Sequence, residues 1–169
     1  MPKMSCKYMR KTSFLIIVSV FFSISVFAQP NEGFTEKQRV AQYNIGRDGL
    51  AIDGYDPVCY FTQNKAVKGK LAIYYKYKGV LYNFANQENR EKFVASPEKW
   101  EPQYGGWCAY ALGDSGEKVK INPETFKIVN GKLYLFYDFL FNNTKTKWDK
   151  DEQNLLRQAN VNWDKIIEN

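Results

Sequence analysis

Apolar and polar positions fall into two similar blocks along this chain. In Ile73-Tyr-Tyr-Lys-Tyr-Lys-Gly-Val-Leu-Tyr-Asn-Phe-Ala, aromatic and β-branched residues flank a Lys78-Gly79 pair. That pattern predicts a β-hairpin. The pattern returns in Phe126-Lys-Ile-Val-Asn-Gly-Lys-Leu-Tyr-Leu-Phe-Tyr, where Asn130-Gly131 suits a type I′ turn. Gly79-Val-Leu-Tyr-Asn-Phe and Gly131-Lys-Leu-Tyr-Leu-Phe echo each other, and each leads into a predicted helix. Two copies fall short of what a repeat array needs, so no repeat is assigned.

The helical signals are local. Asn86 caps a predicted helix through about Ala95, with Glu88 and Glu91 near its N-terminal end. Ser96-Pro97 starts a further short turn of helix, since proline is tolerated at the first helical position. Helices are predicted near Phe139–Trp148 and Glu152–Asn160, the second with Leu155, Leu156 and Ala159 on one face. Gly49 to Pro57 reads as a short strand entering a tight turn, and Gly113-Asp-Ser-Gly as a loop. The expected fold is therefore a small single α+β domain: two antiparallel hairpin-plus-helix units and C-terminal helices over residues 45–167.

The beginning of the chain reads differently. Lys3, Lys7, Arg10 and Lys11 precede an apolar run from Phe14 to Phe27. At about 1.5 Å per residue that run reaches roughly 21 Å, short of a ~30 Å hydrocarbon core. Val26 and Ala28 occupy the small-residue positions before Gln29, so residues 1–28 read as a secretory signal peptide. Residues 29–44 form a loose, polar leader with a short helix near Thr35–Gln42. The expected location is outside the cytoplasm, in the periplasm, with no membrane span after cleavage.

Cleavage changes the charge. The whole chain has 24 basic and 18 acidic residues, formally +6. Removal of residues 1–28 takes four basic residues and no acidic ones, leaving +2. A nucleic-acid partner is not expected at that charge. The chain has no histidine, which excludes Ser-His-Asp and Cys-His chemistry and imidazole-bound metal. No spacing supplies another base for a nucleophile, so no enzyme activity is expected.

Several segments together resemble the exported YHS-domain proteins of bacteria. They are Gly54-Tyr-Asp-Pro-Val-Cys-Tyr-Phe, Tyr82-Asn-Phe-Ala, Asn89-Arg-Glu-Lys-Phe, Pro97-Glu-Lys-Trp, Pro102-Gln-Tyr-Gly-Gly-Trp-Cys-Ala-Tyr-Ala and Asn130-Gly-Lys-Leu-Tyr-Leu. The resemblance implies a small exported α+β protein. The wider group is similar to modules attached to heavy-metal proteins, which suggests metal handling by analogy. In those modules Asp-Pro-Val-Cys is common, and Asp56-Pro57-Val58-Cys59 matches it. Their two further thiols fall here on Ala85 and Asn89, so two of three are missing. Cys59 departs from the exported relatives, whereas Cys108 fits them.

After cleavage two cysteines remain, Cys59 and Cys108. Three readings stay open: a disulfide, which would stabilise the fold by about 4 kcal/mol; a thiolate pair for one soft ion such as copper(I), with Asp56 as a further ligand; or two separate buried thiols. For Asp56 the ordinary alternative is a residue that caps or closes a turn. Tyr55, Tyr60, Tyr104, Trp107 and Tyr110 cluster around the cysteine motifs as candidate walls of a small-ligand pocket, with core packing as the alternative. The expected function is a non-enzymatic module that binds a metal ion or small ligand. The alternative is a structural or protein-interaction module of the cell envelope.

Overall fold

The computed structural model describes residues 35–168. The signal-peptide segment 1–28 lies outside the described residues. What is described is an α+β domain of seven helices and three antiparallel strand pairs. The order is α1 (Glu36–Gln42), α2 (Pro57–Gln63), β1 (Lys70–Tyr77), β2 (Val80–Phe84), α3 (Gln87–Ala95), α4 (Pro97–Trp100), α5 (Ala109–Asp114), β3 (Asn122–Val129), β4 (Lys132–Phe136), β5 (Asp138–Phe139), β6 (Asn142–Asn143), α6 (Thr144–Trp148) and α7 (Glu152–Glu168).

The two expected hairpins are β1–β2 and β3–β4, and they are copies of one geometry. Every pair of the first, from Lys70↔Phe84 through Tyr74↔Asn83 to Tyr77↔Val80, maps onto a pair of the second by a shift of 52 residues. Both carry the same irregularity, between Lys70 and Tyr74 and between Asn122 and Phe126. Both turns use two residues at positive φ, Lys78 and Gly79 in one and Asn130 and Gly131 in the other, as type I′ geometry requires.

The same shift holds well beyond the hairpins. Ile52, Asp53 and Gly54 have positive φ, as do Tyr104, Gly105 and Gly106. The parallel bridges Leu50↔Leu81 and Pro102↔Leu133 correspond. So do the bonds from Asp56 N to Val67 O (2.8 Å) and from Cys108 N to Val119 O (3.0 Å). Residues 50–85 and 102–137 are thus two copies of a turn–helix–hairpin unit, with α2 and α5 as the equivalent helices. Only seven of the 36 aligned residues are identical, so the sequence carries an echo where the backbone carries a repeat.

Two apolar cores result. One joins Val58 and Tyr60 of α2, Val80, Tyr82 and Phe84 of β2, and Phe93 of α3. The other joins Leu112 of α5 to Trp148 of α6 and to Leu155 and Ala159 of α7. Strand β4 serves both by its two-residue period: Leu133 and Leu135 face the first core, Tyr134 and Phe136 the second. Gly113 lets α5 lie against α7, since a Cβ there would stand 2.5 Å from the Leu155 carbonyl oxygen.

Four local expectations are corrected. Pro57 opens a helix instead of closing a tight turn, with Asp56 as its N-cap; proline at the first position is pre-set for this. Gly113 and Asp114 end α5, and only Ser115 and Gly116 of that expected loop lie beyond the helix. The helix expected over Phe139–Trp148 begins only at Thr144, because Asp138 to Asn143 form the β5–β6 hairpin. Asp138 pins that hairpin by accepting from Thr125 Oγ1 and Asn143 Nδ2, each at 2.9 Å. The described part of the 29–44 leader is anchored, not loose: Thr35 caps α1 in a capping box, and Arg39 is buried and paired with Glu101.

Candidate functional site

Asp56 and Cys59 sit at the start of α2, facing α3. Both Asp56 oxygens are engaged. Oδ1 accepts from Val58 N (2.8 Å), and Oδ2 accepts from Ala85 N (2.8 Å) and Asn89 Nδ2 (2.7 Å). The residue is fully buried. A buried carboxylate with three donors is a structural hub, tying α2, the end of β2 and α3 together. Cys59 Sγ accepts from Asn89 Nδ2 at 3.2 Å and Gln63 Nε2 at 3.4 Å. Burial, with the neighbouring Asp56 charge, pushes the Cys59 thiol up to about 12. It is protonated at neutral pH and not poised as a nucleophile.

The positions matched to the missing thiols do meet here: Ala85 and Asn89 both bond Asp56. An amide and a backbone N–H stand where sulfur ligands would be needed, and both donate hydrogen bonds instead of electron pairs. This pocket does not fit a metal ion.

Cys108 is the N-cap of α5 and lies in different surroundings. Its Sγ accepts from Tyr137 N at 3.3 Å and lies 3.4 Å from Thr144 Oγ1. Both cysteines are free and buried, and they share no partner. The structure therefore holds two free thiols and no Cys59–Cys108 disulfide. Among the described residues no group of three or more Cys, Asp or Glu side chains is placed to hold a metal ion.

The aromatic set disperses in the same way. Tyr60 is fully buried and donates to Pro123 O, and Tyr104 is buried and donates to Asn160 Oδ1. Trp107 donates its indole N–H to Gln42 O. Tyr55 reaches Glu124 and has Lys68 over its ring. These four are core or packing residues. Tyr110 alone among them lines a cleft.

That cleft is about 430 Å³ and lies over Cys108. Tyr110, Ala111 and Asp114 of α5 form one wall, and Tyr137, Asn142, Thr144 and Lys147 the opposite one. Glu117 and Val119 close one side. Lys147 Nζ stands 5.7 Å from the Tyr110 ring centroid. Burial and then the adjacent Asp114 carboxylate push the Tyr110 phenol above its ordinary range.

The internal repeat explains why the cleft exists. Cys108 occupies the place of Asp56, and Tyr137 N bonds it as Ala85 N bonds Asp56. In the first unit Asn86 follows β2 at once and caps α3, whose Asn89 closes the space over Asp56. In the second unit the β5–β6 hairpin intervenes and the helix cap is delayed to Asn143. The space over Cys108 is left open as the cleft. Sequence reading found Cys108 and Tyr110 but not the opposite wall, whose only signal is the Asn142-Asn143 pair that ends the inserted hairpin.

No family model, curated protein or solved structure matches this chain. No helix among the described residues is long and apolar enough to cross a membrane.

Proposed function

We propose that this protein is an exported, non-enzymatic binding module that holds a small organic ligand in the cleft over Cys108. The observation that carries this reading is the cleft itself. Its volume falls within the roughly 300–1,000 Å³ of small-molecule sites, and two tyrosines, Ala111 and Val119 share its lining with the polar or charged Asp114, Ser115, Glu117, Asn142, Thr144 and Lys147. The export pattern of residues 1–28 and the resemblance to exported YHS-domain proteins support a periplasmic setting. Metal handling is not carried forward, because Asp56 and Cys59 are engaged by hydrogen-bond donors and Cys108 has different partners.

A fragment screen by amide chemical shifts tests the reading. Hits are expected to move the resonances of Tyr110, Tyr137 and Thr144, and Ser115→Trp, at the cleft rim, is expected to abolish them. Millimolar screening with no hits, or hits that map elsewhere and survive Ser115→Trp, overturns it.

The second reading is a protein-interaction module of the cell envelope, and one feature favours it. Phe139, Leu140 and Phe141 are 61%, 73% and 107% exposed at the tip of the β5–β6 hairpin. It predicts that Phe141→Ser removes a co-purifying envelope protein while fragment binding in the cleft is unchanged.

A further inference from the structure

The β5–β6 hairpin reaches the cleft through Asn142. Phe139 pairs with Asn142 across the hairpin, so their side chains share a face, and Asn142 lines the cleft. Phe139 therefore carries the cleft wall outward, with Leu140 and Phe141 beyond it. Both tip residues, Leu140 and Phe141, have positive φ, 43° and 65°, a conformation that is strained for bulky side chains. The body of the protein gives little in return, since Phe141 is fully exposed. The turn holds an apolar ledge out beside the cleft.

The charge of the cleft sets the sign of its occupant. Asp114 and Glu117 line it against the single cation Lys147, so its local charge favours a cation. Lys147 already stands over the Tyr110 ring, 5.7 Å from its centroid, so an incoming cation is held by the two carboxylates and not by that ring face. A carboxylate head would meet two acids and one base.

Resting on the cleft as the binding site, we infer that its ligand is an amphipathic amine. The protonated head lies between Asp114 and Glu117, and the hydrocarbon chain runs out over Phe139 to the tip. Each methylene laid on that ledge raises affinity up to the ledge's length, by at most about fourfold when fully buried.

Octylammonium, butylammonium, octanoate and octyl glucoside, each below its micelle concentration, are titrated into the isotopically labelled intact protein. Octylammonium is expected to shift the amides of Tyr110, Tyr137 and Asn142, and to bind at least tenfold more tightly than butylammonium or octanoate. Asp114→Asn with Glu117→Gln, both exposed positions, is expected to weaken octylammonium at least fivefold with an unchanged melting temperature. Phe139→Ser is expected to remove most of the advantage of the longer chain. Equal or tighter binding of octanoate or octyl glucoside at the same amides overturns the amine assignment and leaves the cleft as a ligand site. Binding insensitive to the double substitution also overturns it. If none of the four probes shifts these amides, the amine assignment fails, while the fragment screen separately decides whether the cleft binds anything.

Discussion

Cys108 stands in the second hairpin unit where Asp56 stands in the first. Each is the N-cap of its helix, each donates its own N–H to the residue 11 positions on (Val67 or Val119), and each accepts the amide at the end of its hairpin, from Ala85 or Tyr137. One position holds a carboxylate with three donors and a closed surround. The other holds a thiol beneath an open cleft. The pair separates what the unit needs to fold from what the second copy gained.

Asp56→Ala is expected to destabilise the protein by about 3 kcal/mol or more. It removes a helix cap, at ~1 kcal/mol, and strands the buried amides of Ala85 and Asn89, at ~1–3 kcal/mol each. Urea unfolding measures it. A loss below 1 kcal/mol would show that the hub is not structural.

Cys108→Asp is expected to be tolerated to within about 1 kcal/mol. It restores the first unit's cap: α5 has no side-chain cap bond, so a carboxylate gains the Tyr110 amide and keeps that of Tyr137. Cys108→Leu is expected to cost about 2–3 kcal/mol, through overpacking and an orphaned Tyr137 N–H. Comparison of the two unfolding midpoints decides it, and a reversed order contradicts the equivalence of the two sites.

Arg39 and Glu101 form a buried pair, with side-chain exposures of 6% and 10%. Tyr82 OH donates to the same carboxylate at 2.5 Å, and Arg39 Nη1 donates to Tyr43 OH at 2.7 Å. Arg39→Met alone is expected to cost about 3–5 kcal/mol, because it leaves the Glu101 charge buried without its cation. Adding Glu101→Gln is expected to recover part of that loss. A double-mutant cycle with no coupling would refute the pair's role in fastening α1.

Stability is expected to fall at alkaline pH. Burial and the Asp56 charge hold Cys59 at about 12 against an ordinary 9.0, and burial and Glu101 hold Tyr43 at about 12 against 10.0. The folded state therefore keeps protons that the unfolded chain releases. The stability these groups contribute is fully present below pH 9 and is lost as pH rises toward 12. The urea midpoint is expected to decline over that range, with Cys59→Ala flattening the part between 9 and 10. A midpoint independent of pH there contradicts the assignment.

Much of the fold was legible where a signal is local. Lys78-Gly79 and Asn130-Gly131 marked both hairpins, and Thr35 and Asn86 marked helix starts. Asp56-Pro57 carried a helix-start signal too, but in seven residues the helix shows too little periodicity to compete with a turn reading. The segment after Tyr137 misled because Phe139, Leu140 and Phe141 supply apolar positions with no core to face. Asp138, through its bonds to Thr125 and Asn143, turns the chain back before a helix can start.

By itself the sequence determined the α+β class, both hairpins with their turn residues and the absence of imidazole chemistry, because turn residues, strand period and composition act within a few positions of one another. The tertiary structure decided what the two thiols do. Forty-nine residues apart, Cys59 and Cys108 admit a disulfide, a metal pair or separate burial, and only the packing of α2 on α3 and of α5 beside the β5–β6 hairpin chooses between them. It sends one sulfur into a closed hydrogen-bonded core and the other to the floor of a cleft, since the second unit inserts a hairpin where the first begins a helix.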